Sequence, residues 1–376
     1  MDWKEYSLGE LLDYEQPAKY IVNSTEYNNA YKTPVLTAGK SFIIGYTNEK
    51  DGVFEELPVI IFDDFTTATQ YVNFRFKVKS SAMKILKPKK ELVNPKFIYY
   101  RMQNIQLDHS THKRYWLQHY SKLRVAIPDL IEQQRIVSRI EELFSELDAG
   151  IEELKKIKNK LGIYRQAILK EAFKKNNQWE TFEFQELLED MRNGYGKKPT
   201  DNGDYKILKI SAVRSMNLDL HECRQNSSEF NDKEIIKEND LLFTRYNGSS
   251  ELVGVCAAVP ELKDTYAYPD KIIRCRLKFN NSNHARFLQY YINQGEARMY
   301  IRSKIKTTSG QNGIAGSDIK KLCIYLPSLE IQERIVSYLD EKMSNCDKIT
   351  TVIENAIYKA DMMRQSILKQ AFEGRL

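Results

Sequence analysis

The sequence predicts an α+β fold. Two mixed α/β globular domains alternate with two long helices that form an antiparallel coiled coil, the whole built on an internal pseudo-twofold repeat. Three observations carry this. Residues 123–175 recur at 322–374 without a gap, with 19 identical pairs at a constant offset of 199. Both copies carry apolar residues at alternating three- and four-residue spacing, the signature of a coiled-coil seam. Ahead of each copy lies a stretch of short strand-like runs broken by Gly and Asn turns. Internal repetition decides architecture before other signals do.

The first globular stretch contains "PVLT", "FIIGY", "PVIIF" and "FRFKV" as candidate strands, followed by a helical piece, "PKFIYYRMQNI". The first long helix is expected from about Ile131 to Phe173. Its seam runs through Ile140, Phe144, Leu147, Ile151, Leu154, Ile157, Leu161, Tyr164 and Ile168. A second start follows: Trp179 and "QELLE" echo Trp3 and "GELLD". The second stretch offers "KILKI", "DLLFTRY", "LVGVCAAV" and "KIIRCRLKF", then the helical "ARFLQYYINQ". The second long helix, from about Glu330 to Phe372, repeats the seam at Leu339, Met343, Cys346, Thr350, Ile353, Ala356, Ala360, Met363 and Ile367. Pro128 and Pro327 precede the helices, where proline ends a strand without harming the helix. The expected boundaries are a first domain at 1–129, a first helix at 130–175, a second domain at 176–328 and a second helix at 329–376. Each helix would measure roughly 65 Å at about 1.5 Å per residue, too long for a domain of this size to cover alone. A narrow apolar stripe of that length wants another helix, most simply its own duplicate.

Composition narrows the class. Five cysteines, all in the second half and without a Cys-x-x-Cys pair, read as reduced thiols of a cytoplasmic protein, neither a disulfide frame nor a zinc site. The charged start "MDWKEYSLGE" has no apolar core of a signal peptide, and no membrane span is expected. The net charge of +6 is modest, but its distribution is uneven. Between Val72 and Arg124, 13 Lys and Arg face two acids, and between Lys263 and Lys306 ten face three. Both basic blocks fall late in a globular stretch and are interleaved with aromatics. A lone basic block is as well explained by a solvated face. Two at equivalent places in a repeat point to a polyanion, because phosphate binding rewards clustered Lys and Arg.

Several catalytic motifs fail on inspection. Ala38-Gly39-Lys40-Ser41 ends like a phosphate-binding loop, but Pro34 stands where the first glycine belongs. Pro128-Asp129 with Glu153 and Lys155 has the letters of a nuclease metal site, yet Glu153 and Lys155 fall within the coiled coil. His109, His112 and His119 sit among Lys113, Arg114 and Trp116, where polar contact is the better reading than zinc. Asn94-Pro95-Lys96-Phe97 lacks the second proline of an amino-methyltransferase motif. The chain is expected to be no enzyme by itself and to carry no metal.

The segments "VIIFDDFTTATQYVNFRFKVKSSAMKIL" (59–86), "TTSGQNGIAGSDIKKLCIYLPSLEIQERIV" (307–336) and "MRQSILKQAFEGRL" resemble the specificity subunit of type I restriction–modification systems, essentially end to end. The resemblance implies two target-recognition domains, each reading half of a split double-stranded DNA target. It implies helices that set the spacer and dock methyltransferase subunits, two of them, with restriction subunits joining through the complex. Cofactors would then be none in this chain, with S-adenosylmethionine, ATP and Mg in partner subunits, and the role would be DNA methylation and phage defence in a bacterial or archaeal cytoplasm. An orphan or phage-borne subunit redirecting another system's methyltransferase, and a coiled-coil scaffold without a DNA role, are the alternatives. Base readout needs donor and acceptor side chains. The candidate DNA contacts are therefore Thr66, Thr67, Thr69, Gln70 and Tyr71, with Lys113 and Arg114, in the first domain. In the second they are Arg245, Tyr246, Asn247 and Ser249, with Lys304, Lys306, Thr308, Ser309, Gln311 and Asn312. Polar residues repeated on the helices are the candidate partner contacts: Gln133, Arg135 and Arg165, answered by Gln332, Arg334 and Arg364.

Overall fold

The computed structural model describes residues 3–37, 41–105, 115–174, 179–200, 202–227, 229–308 and 310–376. Two compact units result, one of residues 1–156 with 353–376 and one of residues 157–352. The division differs from the expected one: each unit takes part of both long helices, because those helices bury their apolar residues in the domain cores.

In the first unit, β1 (Lys4–Ser7) leads into a one-turn α1 (Leu8–Leu11), capped by Ser7 and Glu10 in a reciprocal box. β2 (Leu12–Glu15), β3 (Thr33–Leu36), β4 (Ile43–Thr47), β5 (Val59–Asp63), β6 (Thr69–Val72), β7 (Lys77–Val78) and β8 (Met83–Pro88) follow. They form an antiparallel sheet ordered β2-β8-β5-β6 and a three-stranded sheet ordered β4-β3-β7, with β3 and β7 parallel. α2 (Pro95–Gln103) opens with Pro95 behind an Asn94 cap, whose Oδ1 accepts from the amides of Lys96 and Phe97. After α3 (Tyr115–Gln118), β9 (Arg124–Ile127) pairs antiparallel with β1 and stops before Pro128. The long α4 spans Leu130–Ala172.

The second unit repeats the plan. β10 (Glu180–Glu183) is followed by β11 (Leu188–Asn193), β12 (Tyr205–Leu208), the short β13 (Val213–Arg214) and β14 (Asn217–Leu218), and β15 (Cys223–Asn226). Next come β16 (Leu241–Thr244), β17 (Tyr246–Asn247), β18 (Cys256–Ala258), β19 (Tyr266–Ala267) and β20 (Ile272–Leu277). α5 (Ser282–Ile292) and α6 (Gly295–Lys304) precede β21 (Lys306–Thr308), β22 (Gln311–Gly313), α7 (Gly316–Lys320), β23 (Cys323–Leu326) and the long α8 (Leu329–Phe372). The order β11-β20-β16-β18 answers β2-β8-β5-β6, β15-β12-β19 answers β4-β3-β7, and β10-β23 answers β1-β9. Sheets found only in the second unit, among the described residues, are the β13-β14 hairpin and β17-β22-β21.

Each core is closed by the same aromatic stack. Trp3 meets Phe97 edge-on at 6.4 Å, and Phe97 meets Phe372 at 5.4 Å. In the second unit Trp179 meets Phe287 at 6.0 Å, and Phe287 meets Phe173 at 5.3 Å. The repeated Phe at the end of one long helix thus seals the domain that the other helix leaves. Fully burying one such ring contributes about 1.5–3 kcal/mol.

Within the first unit the helix segments run antiparallel: Arg135 donates to the Leu376 carbonyl at 3.4 Å while Arg364 pairs with Asp148. The predicted seam is inward at Ile140, Ile151, Ile168, Leu339, Cys346 and Ile353. It opens at Ile157, Tyr164 and Met363, which are 40%, 50% and 53% exposed. A stripe that meets only one neighbouring helix is covered less than one packed on a domain. No helix among the described residues is long and apolar enough to cross a membrane.

Candidate nucleic-acid interface

In the second unit the strand β16 is buried along its length and delivers Arg245 to the surface at its end. The Arg245 amide donates to the Lys271 carbonyl at 2.9 Å, and its carbonyl accepts from the Ile314 amide at 3.1 Å. Its guanidinium lies over the Tyr246 ring, 4.7 Å from the centroid. Stacking of this kind holds the planar fork while leaving its edge donors free.

β17 then pairs with β22, and β22 with β21, so that Tyr246 faces Gly313 and Asn247 faces Asn312. A Cβ at Gly313 would lie 2.5 Å from the Tyr246 ring, so the position requires glycine. The small sheet brings together two predicted groups separated by about sixty residues of chain. Lys304, Lys306, Thr308 and Gln311 are exposed and line one cleft with Arg245 and Tyr246.

Not every predicted contact is free to read a base. Asn312 donates to the Gly248 carbonyl at 2.8 Å and accepts from the Thr307 hydroxyl at 2.8 Å, so its amide holds the sheet together. Asn247 accepts from the Ser249 amide at 3.0 Å, an Asx turn that shapes the loop. Ser309 lies outside the described residues. Buried Arg298 donates to the carbonyls of Val253 and Glu251, at 2.8 and 2.6 Å, and fixes the base of the same loop. Arg192, Ser317 and Lys320 border a second cleft around Arg245 and were missed by the sequence reading. They lie on β11 and α7, away from any basic run, so no linear signal marks them.

The first unit places Thr66 and Thr67 in the turn between β5 and β6. The Thr66 hydroxyl donates to Asp63 at 2.8 Å, and Thr67 has φ 60°, an unusual conformation for a β-branched residue. Thr66 is therefore turn chemistry first. Tyr71 packs on Tyr99 at 5.8 Å with Lys96 over its ring, whereas Gln70 is exposed on β6. Lys113 and Arg114, with His109 and His112, lie outside the described residues. The chain beyond them is tied to the same turn, because the Tyr115 amide donates to the Asp64 carbonyl and the Trp116 amide to the Asp64 carboxylate at 2.8 Å.

The basic blocks shrink on folding. Lys77 is buried against Glu49 at 2.6 Å, Lys87 pairs with Glu15 at 3.0 Å, and Arg276 with Asp240 at 2.8 Å. Buried Arg274 pairs with Asp190, whose carboxyl is held below its usual range by Arg192 first and by Arg274 next. Charge counted along the chain therefore overstates what faces a ligand, and Arg245, Lys304 and Lys306 are the exposed or half-exposed remainder at the cleft.

The predicted partner contacts divide. Gln133 and Gln332 are buried, at 0% and 1% exposure. Gln133 accepts from the Asn94 amide at 2.7 Å and donates to the carbonyls of Pro128 and Leu92. Gln332 donates to the Pro327 carbonyl at 2.8 Å and bonds the His284 ring at 2.8 Å. Both lock a helix start to its own domain, which corrects their assignment as docking points: repetition of a polar residue does not place it on the surface. Arg165 and Arg364 are half-buried and paired with Asp347 and Asp148. Arg135 is held by Glu132 at 2.7 Å but stays exposed, as does Arg334.

Comparison with known proteins adds an independent line. A family model described as the type I restriction modification DNA specificity domain matches residues 1–160 and 176–359. The specificity subunit of the type I restriction enzyme EcoKI from Escherichia coli K12 is 34% identical over 274 residues, which are 68% of this chain and 58% of that one. The alignment thus spans under two thirds of that relative's length. The EcoR124I/EcoR124II specificity subunit of Escherichia coli is 31% identical over 388 residues, covering 95% of this chain and 90% of the relative. Among solved structures, a chain from a type I R-M system described for its complex assembly and conformational transition superposes with a TM-score of 0.71 at 18% identity. That match covers 100% of this chain and 98% of the other. The HsdS subunit from Thermoanaerobacter tengcongensis gives 0.51 at 17% identity, over 100% and 97%. Both share the fold.

Proposed function

Since the chain belongs to the family of type I restriction–modification specificity subunits, we propose that its two domains each read one half of a bipartite double-stranded DNA target. The observation that carries this reading is the β17-β22-β21 sheet. It gathers Arg245, Lys304, Lys306, Thr308 and Gln311 on one exposed surface. Lys304 and Lys306 are suited to phosphates. Arg245 and Gln311 have the donor and acceptor pattern for base edges, guanine for the first and adenine for the second.

The chain is a recognition and assembly subunit, and the chemistry resides in its partners. Methyltransferase subunits supply S-adenosylmethionine chemistry, and restriction subunits join with ATP and Mg. The long helices fix the separation of the two half-sites. A cytoplasmic location follows from this role. The test is methylome sequencing of cells that carry this chain with its methyltransferase. A single split motif is expected, and its absence, with no shift in DNA binding by the complex, would overturn the reading.

A further inference from the structure

Phe65 stands in the turn that joins β5 to β6, and its ring is 57% exposed. A lone exposed apolar side chain is ordinary, but the turn that carries this one is fixed from both sides. The Asp63 carboxylate accepts from the Phe65 amide at 2.9 Å and from the Thr66 hydroxyl at 2.8 Å. The Asp64 carboxylate accepts from the Trp116 amide at 2.8 Å and lies 3.6 Å from Lys84. Thr67 closes the turn with φ 60°, its amide donating to the Asp63 carbonyl at 2.9 Å. A β-branched residue takes that conformation only where its surroundings impose it. The backbone therefore presents the ring on a rigid mount.

Charge at the tip is as telling as its rigidity. Both carboxylates are turned into the domain, Asp63 at 6% and Asp64 at 4% exposure. What remains, Phe65 to Gln70, is an aromatic ring, three threonines, an alanine and a glutamine. The tip has no cation for a phosphate and no open acid to repel one. It suits a DNA groove, where bases show methyl groups as well as hydrogen-bonding edges.

The second unit carries an aromatic residue at the same place. Phe62 on β5 and Phe243 on β16 are buried in the cores that the long helices enter, Phe62 on Trp116 at 5.5 Å and Phe243 on Phe184 at 5.9 Å. Three residues further on, Phe65 and Tyr246 leave the two strand ends. Tyr246 lines the candidate cleft with Arg245 over its ring. Where the second unit has Arg245, the first has the buried Asp64.

We propose that Phe65 is a specificity-determining residue of the first half-site, its ring seated on the apolar surface of one base. That surface is the 5-methyl group of a thymine in the major groove, or the face of a base opened at a kinked step. The proposal rests on the DNA-reading role argued above and adds to it a contact made without hydrogen bonds.

The probe is a set of duplexes carrying the split motif that methylome sequencing reads from the wild type, titrated with the full chain assembled with its methyltransferase. Phe65→Ala should lose roughly tenfold in affinity, with discrimination relaxed at one base pair of the first half-site only. Its salt dependence should match the wild type, because no phosphate contact is removed. If the methyl group is the contact, uracil for thymine at that pair costs the wild type the same factor and Phe65→Ala nothing. If the ring face is, the uracil change is silent, and 2-aminopurine at the step brightens on binding wild type but not Phe65→Ala. Phe65 bonds Asp63 through its main chain, so thermal unfolding of Phe65→Ala should match the wild type. Should it not, Phe65→Tyr keeps the ring, and relaxed discrimination at the same pair is expected from the added hydroxyl. Full discrimination in a folded variant overturns the proposal, as does a loss shared by all sequences or neither probe response. Loss of methyltransferase copies at unchanged DNA affinity also overturns it, making Phe65 a protein contact. A wild-type complex that recognises no split motif would instead overturn the DNA reading itself.

Discussion

Arg165 donates to Asp347 at 2.6 Å, and the duplicated chain writes the same pair again as Arg364 and Asp148. The offset of 199 carries Arg165 to Arg364 and Asp148 to Asp347. One pair lies in each compact unit, so the same clasp joins the two helices in both. Arg165 also reaches Thr350 at 3.3 Å, and Arg364 lies over the Phe144 ring at 4.9 Å.

These carboxylates are largely open to solvent, so each pair contributes about 0.2–1 kcal/mol and sets register more than stability. Asp347→Arg should lower the melting temperature slightly, and adding Arg165→Asp should recover most of the loss. A double-mutant cycle by thermal unfolding reads the coupling. A coupling of zero in low salt would mean that the apolar seam alone sets the register.

Gln133→Ala should be far more costly than Arg135→Ala. It leaves the Asn94 amide and the Pro128 and Leu92 carbonyls without their partner. Each buried group left unpaired costs about 1–3 kcal/mol. Urea unfolding monitored in the first unit would show this, and equal effects of the two substitutions would contradict the placement of Gln133.

His284 gives the second unit a pH dependence. Burial lowers its pKa, opposed in part by Gln332. In the unfolded chain the ring takes up a proton near about pH 6.5, whereas the folded protein resists protonation until lower pH. Stability is therefore full above that value and falls as pH drops towards the lowered folded pKa. His284→Gln should flatten the acid limb of the unfolding profile below about pH 6.5. An unchanged slope would show that other groups control it.

Arg245→Ala should cost about 1–3 kcal/mol of DNA affinity, confined to one position of one half-site. Lys306→Ala should instead weaken all sequences alike and make the salt dependence shallower. Anisotropy titrations on a panel of single-base variants at two salt concentrations separate the two. A uniform loss for Arg245→Ala would place its guanidinium on a phosphate.

The repeat made the scaffold legible. Because Trp179, Phe173 and Arg364 answer Trp3, Phe372 and Arg165, the paired helices and the duplicated domain plan are legible in the sequence. The strand β16 was readable as an apolar run, and with it the loop at Arg245. Burial was not readable from identity alone. Gln133 looked like a surface residue because it is polar and repeated, but its bonds to Pro128 and Asn94 depend on a turn that only folding creates. Asn312 has the chemistry of a base reader, but its amide is spent on the Gly248 carbonyl, a bond that only the folded loop creates. The basic blocks overstate the charge at the cleft for a related reason: Lys77 and Arg274 meet carboxylates, Glu49 and Asp190, from distant parts of the chain. Arg192 and Lys320 escaped because nothing along the chain places them beside Arg245.

The central claim is that each domain specifies its half-site independently, and exchanging residues 180–320 for the corresponding segment of another family member tests it most directly. Methylome sequencing of cells carrying the exchanged chain with its methyltransferase should show one half of the motif replaced, with the other half and the spacer unchanged. A motif altered in both halves, or in neither, would contradict it.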